Sequence, residues 1–458
     1  MRRWVLSKLP YTGFLLALIF LAFISGAVAT VAAVFPSDYV RDAYRGATAL
    51  IAKHTKYADP YTTDLWAPER TAQRGVTIYD RQESFAGLTL YTSGDAPAAH
   101  LISMDGEIVH EWKRTYSSIW DASAAVHNPV PDRQTFYKKA HVYPNGDLLA
   151  IYIGVGDTPW GYGMVKLDSN SKVIWKNLDR FHHDFAVADD GRIYALSHAF
   201  RGKPLEGVPD LKPPFLEDSL TIISPDGKTL RKISLPEAFN KSSEYRRMLW
   251  RIPYYTMEDP LHTNGVDVLD RASAAALAKK VPVAAPGQVL LSFRELAGGS
   301  IALLDVAKGK IVWATRGSWL SQHDPDILAN GDILLFDNRG HFGAGGKTRI
   351  VELDPGTHAL VWSYAGTKEH PLQSLIRGSQ QRLPNGNTLI TESSGGRLLE
   401  ITAEGEIVWE YINPIRGGKD NERIPVVSYA QRLRPDAFTA EFRNQISAQS
   451  LAKQEHTR

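Results

Sequence analysis

The chain has 458 residues, 52 Lys and Arg against 50 Asp and Glu, and no cysteine. A net charge of +2 is no electrostatic footprint for nucleic acid, and the lack of cysteine excludes disulfide staples, Cys-ligated zinc, iron–sulfur clusters and a thiol nucleophile. The 36 Gly, 26 Pro, 11 Trp and 19 Tyr suit many short strands joined by turns.

Residues 13–35 carry no charge. At about 1.5 Å per residue they reach roughly 34 Å, enough for a bilayer core of about 30 Å. Arg2, Arg3 and Lys8 precede them, and basic flanks stay cytoplasmic. The expectation is a single-pass anchor with the rest of the chain exported. A cleaved signal peptide is the alternative, since Ala27, Ala29, Ala32 and Ala33 offer small residues for cleavage. Residues 37–75 read as a helical and irregular stalk, with Tyr39, Ala43, Ala47, Leu50 and Ile51 near helical spacing.

A repeat then runs through residues 76–415. Each copy has a polar start, a short strand, an Asn-Gly or Asp-Gly turn, two apolar strands and a fourth strand, which bears Trp in five copies. HVYPNGDLLAIY from His141, QHDPDILANGDILLFDN from Gln322 and QQRLPNGNTLITES from Gln380 are the clearest openings. Asn-Gly and Asp-Gly supply the positive φ that two-residue hairpins require. Trp112, Trp175, Trp313, Trp362 and Trp409 mark the fourth strands. Six copies of four strands predict an all-β six-bladed propeller. A solenoid would also repeat, but no copy looks like a polar end cap. The first blade is expected to open with VTIYD at 76–80. Residues 416–458 read as a C-terminal extension with a helix carrying Phe438, Phe442, Ile446 and Leu451.

The first strands of propeller blades line the channel, so their starts converge. Those starts are His141, His183, His262, His323 and Gln381. His183 and His323 each lie eight residues before a turn glycine, and His141 and Gln381 each lie five before one. Several histidines in one channel admit three readings. They cap backbone groups, they bind a metal with Asp184 or Asp324, or they work as nucleophile and acid–base. Asn264, two residues after His262, points the same way along the strand. Arg294 sits in an interior strand, where a guanidinium is costly without an anionic partner. It either bridges blades through Glu295 or Asp267, or it meets a substrate anion. Arg339 and Arg377 are further cations. Imidazole, guanidinium and amide together suit an oxyanion better than a metal cation. Tyr152, Trp160, Tyr162, Trp250, Tyr254 and Tyr255 are expected either to stack an aromatic substrate or to pack loops on the propeller.

HDF at 183–185, HTN at 262–264, SFR at 292–294 and QHD at 322–324, in this order, resemble the bacterial arylsulfate sulfotransferase family. LPNGNTLI (383–390) and EIVWEY (406–411) are similar to that family's blade motifs. The resemblance implies sulfuryl transfer from an aryl sulfate to a phenol, without a nucleotide donor, a metal or another cofactor. It implies His323 as the histidine that becomes sulfated, with His262, Asn264 and Arg294 holding oxyanions. His183 would be the upstream channel histidine, with His182 a second choice. His141, Gln381 and Arg339 are expected to contact substrate. The implied partners are a small aromatic sulfate donor and a phenolic or glycan acceptor. The expected location is a bacterial inner membrane, with the propeller in the periplasm or outside the cell. The chain departs from secreted members in its N-terminal apolar segment and in lacking a recognisable β-sandwich before the first blade.

Overall fold

Five Asn-Gly or Asp-Gly turns, at Gly146, Gly191, Gly227, Gly331 and Gly386, adopt φ between 80° and 91°. A side chain with Cβ is strained there. The strands between them assemble into six antiparallel sheets of a β-propeller, seen in a computed structural model that describes residues 2–32, 34–55, 57, 59–341 and 347–456. The side chains of Arg2, Arg3, Lys8, Leu50 and Leu451 lie outside that description.

Blades II to V each use four consecutive strands. Their first strands are Thr135–Val142, Phe181–Val187, Thr263–Val268 and His323–Ile327. Blade VI begins at Ser379–Arg382. Blade I begins at Val427–Leu433, which pairs with Leu88–Ser93. These six first strands contact one another in sequence and close into a ring.

That closure corrects two expectations. The segment at 76–80 does not open blade I: Gly75–Tyr79 pairs with Ile407–Ile412 as a fifth, outer strand of blade VI. The missing strand of blade I comes from beyond residue 415. Splitting one blade between distant parts of the chain pairs edges that would otherwise be open. Local repeats cannot show which distant segment completes a blade.

Inter-blade clasps follow from the fourth-strand tryptophans. Trp112, Trp175, Trp362 and Trp409 each donate the indole N–H to a turn carbonyl of the next blade, at Gly146, Pro225, Ala403 and Met104, over 2.8–3.0 Å. The Trp409 bond joins blade VI to blade I. Arg432 and Glu400, both fully buried, pair at 3.0 Å across the same junction. Phe442 and Ile446 of the C-terminal helix Ala440–His456, and Phe438, which lies in the extended segment before it rather than in the helix as expected, are buried with the cores of blades I and II.

Residues 1–59 form a separate unit. It contains helix α1 (Arg2–Val31) and helix α2 (Ser37–Thr55). Tyr11–Val31 has a mean hydropathy of 2.6 and is long and apolar enough to cross a membrane. An anchor and a signal sequence both fit that helix.

Candidate active site

The channel strands are irregular where the histidines sit. The pairing register shifts between Phe181 and Phe185, between Thr263 and Gly265, and between His323 and Asp326. His183, His262 and Asp324 have φ of 53°, 47° and 52°. Positive φ is uncommon in residues with a side chain, and bulges re-aim side chains. The bulges set the rings of His183 and His262 side by side, whereas the Asp324 side chain lines a separate cavity.

His323 is 4% exposed. Its Nδ1 lies 2.7 Å from Asn338 Oδ1 and 3.0 Å from the Ser321 carbonyl. Asn338 Nδ2 donates to the carbonyls of Ser374 and Arg377, both at 2.6 Å. The amide orientation is therefore settled, Oδ1 faces His323 as an acceptor, and the imidazole proton belongs on Nδ1. Nε2 keeps its lone pair. Burial, then the Lys138 ammonium, hold His323 well below the usual histidine range, against the pull of Asn338.

His183 stands beside His262, with ring centroids 5.0 Å apart. Burial, then the His262 and His182 imidazoles, push His183 well below its ordinary value. His262 Nδ1 makes a short contact with Asp259, and its Nε2 lies 3.5 Å from Arg294 Nη1. Arg294 also pairs with Glu295 at 3.0 Å. Asn264 Nδ2 donates to the Gln322 carbonyl at 2.8 Å. An amide NH₂ has two hydrogens, so this bond uses one of them. Trp160 forms a wall, its ring 5.6 Å from that of His262 and 5.9 Å from that of His183.

Behind these lies a layer of which sequence reasoning named only His182, as a second choice to His183. His182 Nδ1 is 2.7 Å from His183 Nδ1. His182 Nε2 is 3.4 Å from Asp218 Oδ1. Burial pushes the Asp218 carboxyl up, but His182 and the Thr263 amide hold it below the usual carboxylate range. His198 stacks on His182 at 4.2 Å with 18° between the planes. His182, His198 and Asp218 place ligand atoms within 4.8 Å of one another. Stacked imidazoles direct their in-plane lone pairs along separate planes, so the trio as arranged does not converge on a single cation. It suits sharing of a proton.

Two predicted residues lie elsewhere. His141 and Gln381 line a cavity of about 420 Å³ with Lys139, Asp267, Asp324, Asp326, Gln380 and Tyr429. The offset follows from the turn register. Lys138, not His141, is eight residues before Gly146, matching His183 and His323. The ammonium of Lys138 acts on both His183 and His323. Burial, then Arg377, lower its pKa to about 8. Burial, then the Lys139 ammonium, push His141 down to about 4. Gln381 exchanges hydrogen bonds with the Arg432 backbone at 2.7 and 3.2 Å. Arg339 is exposed and donates to the Leu375 carbonyl at 3.3 Å. Arg377 pairs with Asp64 at 2.6 Å. Of the aromatic candidates, Tyr152 and Tyr162 are fully buried core residues, and Trp250, Tyr254 and Tyr255 are exposed.

The eight-residue spacing was a signal for Lys138. Nothing local marks Asn338, Asp218 or Asp259, which reach the site through bulges and connections between blades.

No curated protein matches the chain. Among solved structures, a Bacteroides caccae protein of unknown function aligns with a TM-score of 0.46 and 14% identity, over 76% of this chain and 98% of that one. A Staphylococcus aureus virginiamycin B lyase, solved as a catalytically inactive variant with quinupristin, aligns with a TM-score of 0.34 and 11% identity, over 63% and 73%. BamB from Moraxella catarrhalis gives 0.33 and 10%, over 78% and 94%. The arylsulfotransferase (ASST) family matches residues 139–414, which hold blades III to V, most of blades II and VI and every imidazole described above. By that match the chain belongs to the arylsulfotransferase family.

Proposed function

We propose that this protein moves a sulfuryl group from an aryl sulfate to an acceptor hydroxyl through a sulfo-histidine on His323. The observation that carries the reading is the His323–Asn338 pair at 2.7 Å. It leaves Nε2 of a buried, neutral imidazole free as the nucleophile. A neutral nucleophile meets no charge repulsion from the sulfate monoester, and Lys138, Arg294 and Asn264 supply donors for its oxygens.

In the first half-reaction, His323 Nε2 forms a bond to sulfur as the aryl S–O bond breaks. The leaving phenolate takes a proton from His183. His182 replaces that proton through the Nδ1–Nδ1 contact, and Asp218 balances the charge that His182 carried. In the second, the acceptor oxygen attacks sulfur and the N–S bond breaks. The acceptor proton returns to the His183–His182 pair, and neutral His323 is restored. A general acid of this kind contributes about 10²–10⁴ in rate. His262, held by Asp259 and Arg294, is assigned to orienting the sulfate oxygens. The propeller is assigned to the outer side of a bacterial inner membrane, with α1 as its anchor.

The full chain is incubated with 4-nitrophenyl sulfate, with and without phenol. Acceptor-dependent nitrophenol release, lost in His323→Ala, is the expected result, and intact mass shows one added SO₃ on the donor-treated wild type. Full turnover by His323→Ala rejects the nucleophile. Ping-pong kinetics follow from the covalent intermediate.

A further inference from the structure

The end of the propeller that holds the imidazoles also exposes large apolar side chains. Each first strand starts at that end, and the tight turn after it lies at the other. Connections from second to third strands, and from one blade to the next, therefore fall on the imidazole end. Trp120, Phe200, Trp250, Tyr254, Tyr255 and Leu375 all lie in or beside such connections, and all are exposed.

The segment between blades III and IV is the centre of this face. It forms two 3₁₀ turns, Arg246–Arg251 and Tyr254–Thr256. Leu249 and Ile252 are buried in the core shared by blades III and IV. This anchoring leaves Trp250, Tyr254 and Tyr255 at 56%, 86% and 73% exposure. Arg247 and Arg251, on the first of these turns, are exposed, and neither forms an ion pair among the described residues. Trp250 Nε1 donates to the Gly207 carbonyl at 3.3 Å, so its polar edge is satisfied and its ring stands free. The same segment continues to Asp259, which holds His262.

We propose that this rim docks on a bilayer surface with anionic headgroups, so that the channel mouth opens at the lipid interface. Tryptophan and tyrosine favour the headgroup level because one end of the ring is apolar and the other polar. Unpaired arginines complement anionic lipid. Water-exposed rings held rigidly by buried neighbours lose little freedom on insertion. The chain's own apolar span, Tyr11–Val31, gives it a route to a membrane, and tethering raises the effective concentration of any second contact. The inference is independent of the sulfuryl-transfer reading.

The test places the full chain in nanodiscs of phosphatidylcholine with phosphatidylglycerol, made with and without bromine on the acyl chains. Emission of Trp250 is isolated as wild type minus Trp250→Phe, which cancels the other tryptophans, Trp4 of the N-terminal helix included. Docking predicts that brominated lipid removes most of that difference emission. Paired Arg247→Glu and Arg251→Glu changes, or Tyr254→Ser with Tyr255→Ser, restore it while the unfolding temperature stays unchanged. Difference emission equal in brominated and plain discs overturns the proposal. Quenching that is equal without phosphatidylglycerol and survives the charge reversal overturns the anionic-headgroup assignment. None of these readouts depends on turnover.

Discussion

Asp218 Oδ1 lies 3.4 Å from His182 Nε2, both side chains almost completely buried. The other carboxylate oxygen accepts the Thr263 amide at 2.7 Å. One carboxylate thus serves two neighbouring blades. It orients the imidazole that touches His183, and it pins the strand that begins next to His262. A buried carboxylate of this sort sets both charge and tautomer in the ring it faces.

Asp218→Asn keeps the Thr263 bond but removes the charge opposite His182. Turnover is expected to fall about 10- to 100-fold, the range for losing a partner of an active group. The loss is larger for phenyl sulfate than for 4-nitrophenyl sulfate, because the poorer leaving group depends more on the proton. Equal losses for the two donors would point to a merely structural role.

Asn338→Ala removes the acceptor that holds the His323 proton on Nδ1. The Ser321 carbonyl at 3.0 Å is then the remaining acceptor, so the Nδ1 tautomer is held less firmly and the fraction with a free Nε2 lone pair drops. Formation of the sulfo-enzyme, followed as the nitrophenol burst, should slow by about 10- to 100-fold. Affinity for inorganic sulfate, used as an anion probe, should stay near the wild-type value.

Lys138 carries its charge below about pH 8. In the proposed reaction its ammonium meets the anionic donor, so donor binding should weaken as the pH rises through that value. KM for 4-nitrophenyl sulfate is expected to climb on the basic side in wild type and to lose that step in Lys138→Met. His323 lies well below the usual histidine range, so the nucleophile stays neutral across the whole window and the acid side should be flat down to about pH 6.

The cavity at the other end of the channel makes a prediction about stability. Burial, against a hydrogen bond from the Ile327 amide, raises the Asp267 carboxyl from 3.8 to about 7. Between those values the folded state holds a proton that the unfolded state lacks, so this group stabilises the fold as the pH falls and costs most above about 7. Asp267→Asn should raise the unfolding midpoint at about pH 8, by an amount on the order of 1–2 kcal/mol in stability. The variant and the wild type should converge towards about pH 4. A gain that is independent of pH would contradict the assignment.

The blade grammar and the chemistry on offer are legible in short stretches of the chain. Turn glycines, alternating apolar strands and fourth-strand tryptophans are local requirements of hairpins and blade contacts, so they are written within short windows. The order of HDF, HTN, SFR and QHD carried the family in the same way. The structure sets the His183 ring beside that of His262, Arg294 3.5 Å from His262 and Asn264 against the carbonyl that precedes His323. Only the tertiary structure decided how the ring closes, because strand pairing between Val427–Leu433 and Leu88–Ser93 spans nearly the whole propeller and leaves no local mark. It also separated His141 and Gln381 from the other imidazoles, put Lys138 in their place, and set Asn338 and Asp218 behind His323 and His182. Those placements depend on bulges at positive φ and on contacts between blades. A three-residue offset along a strand is about 10 Å, enough to move a side chain from one end of the channel to the other.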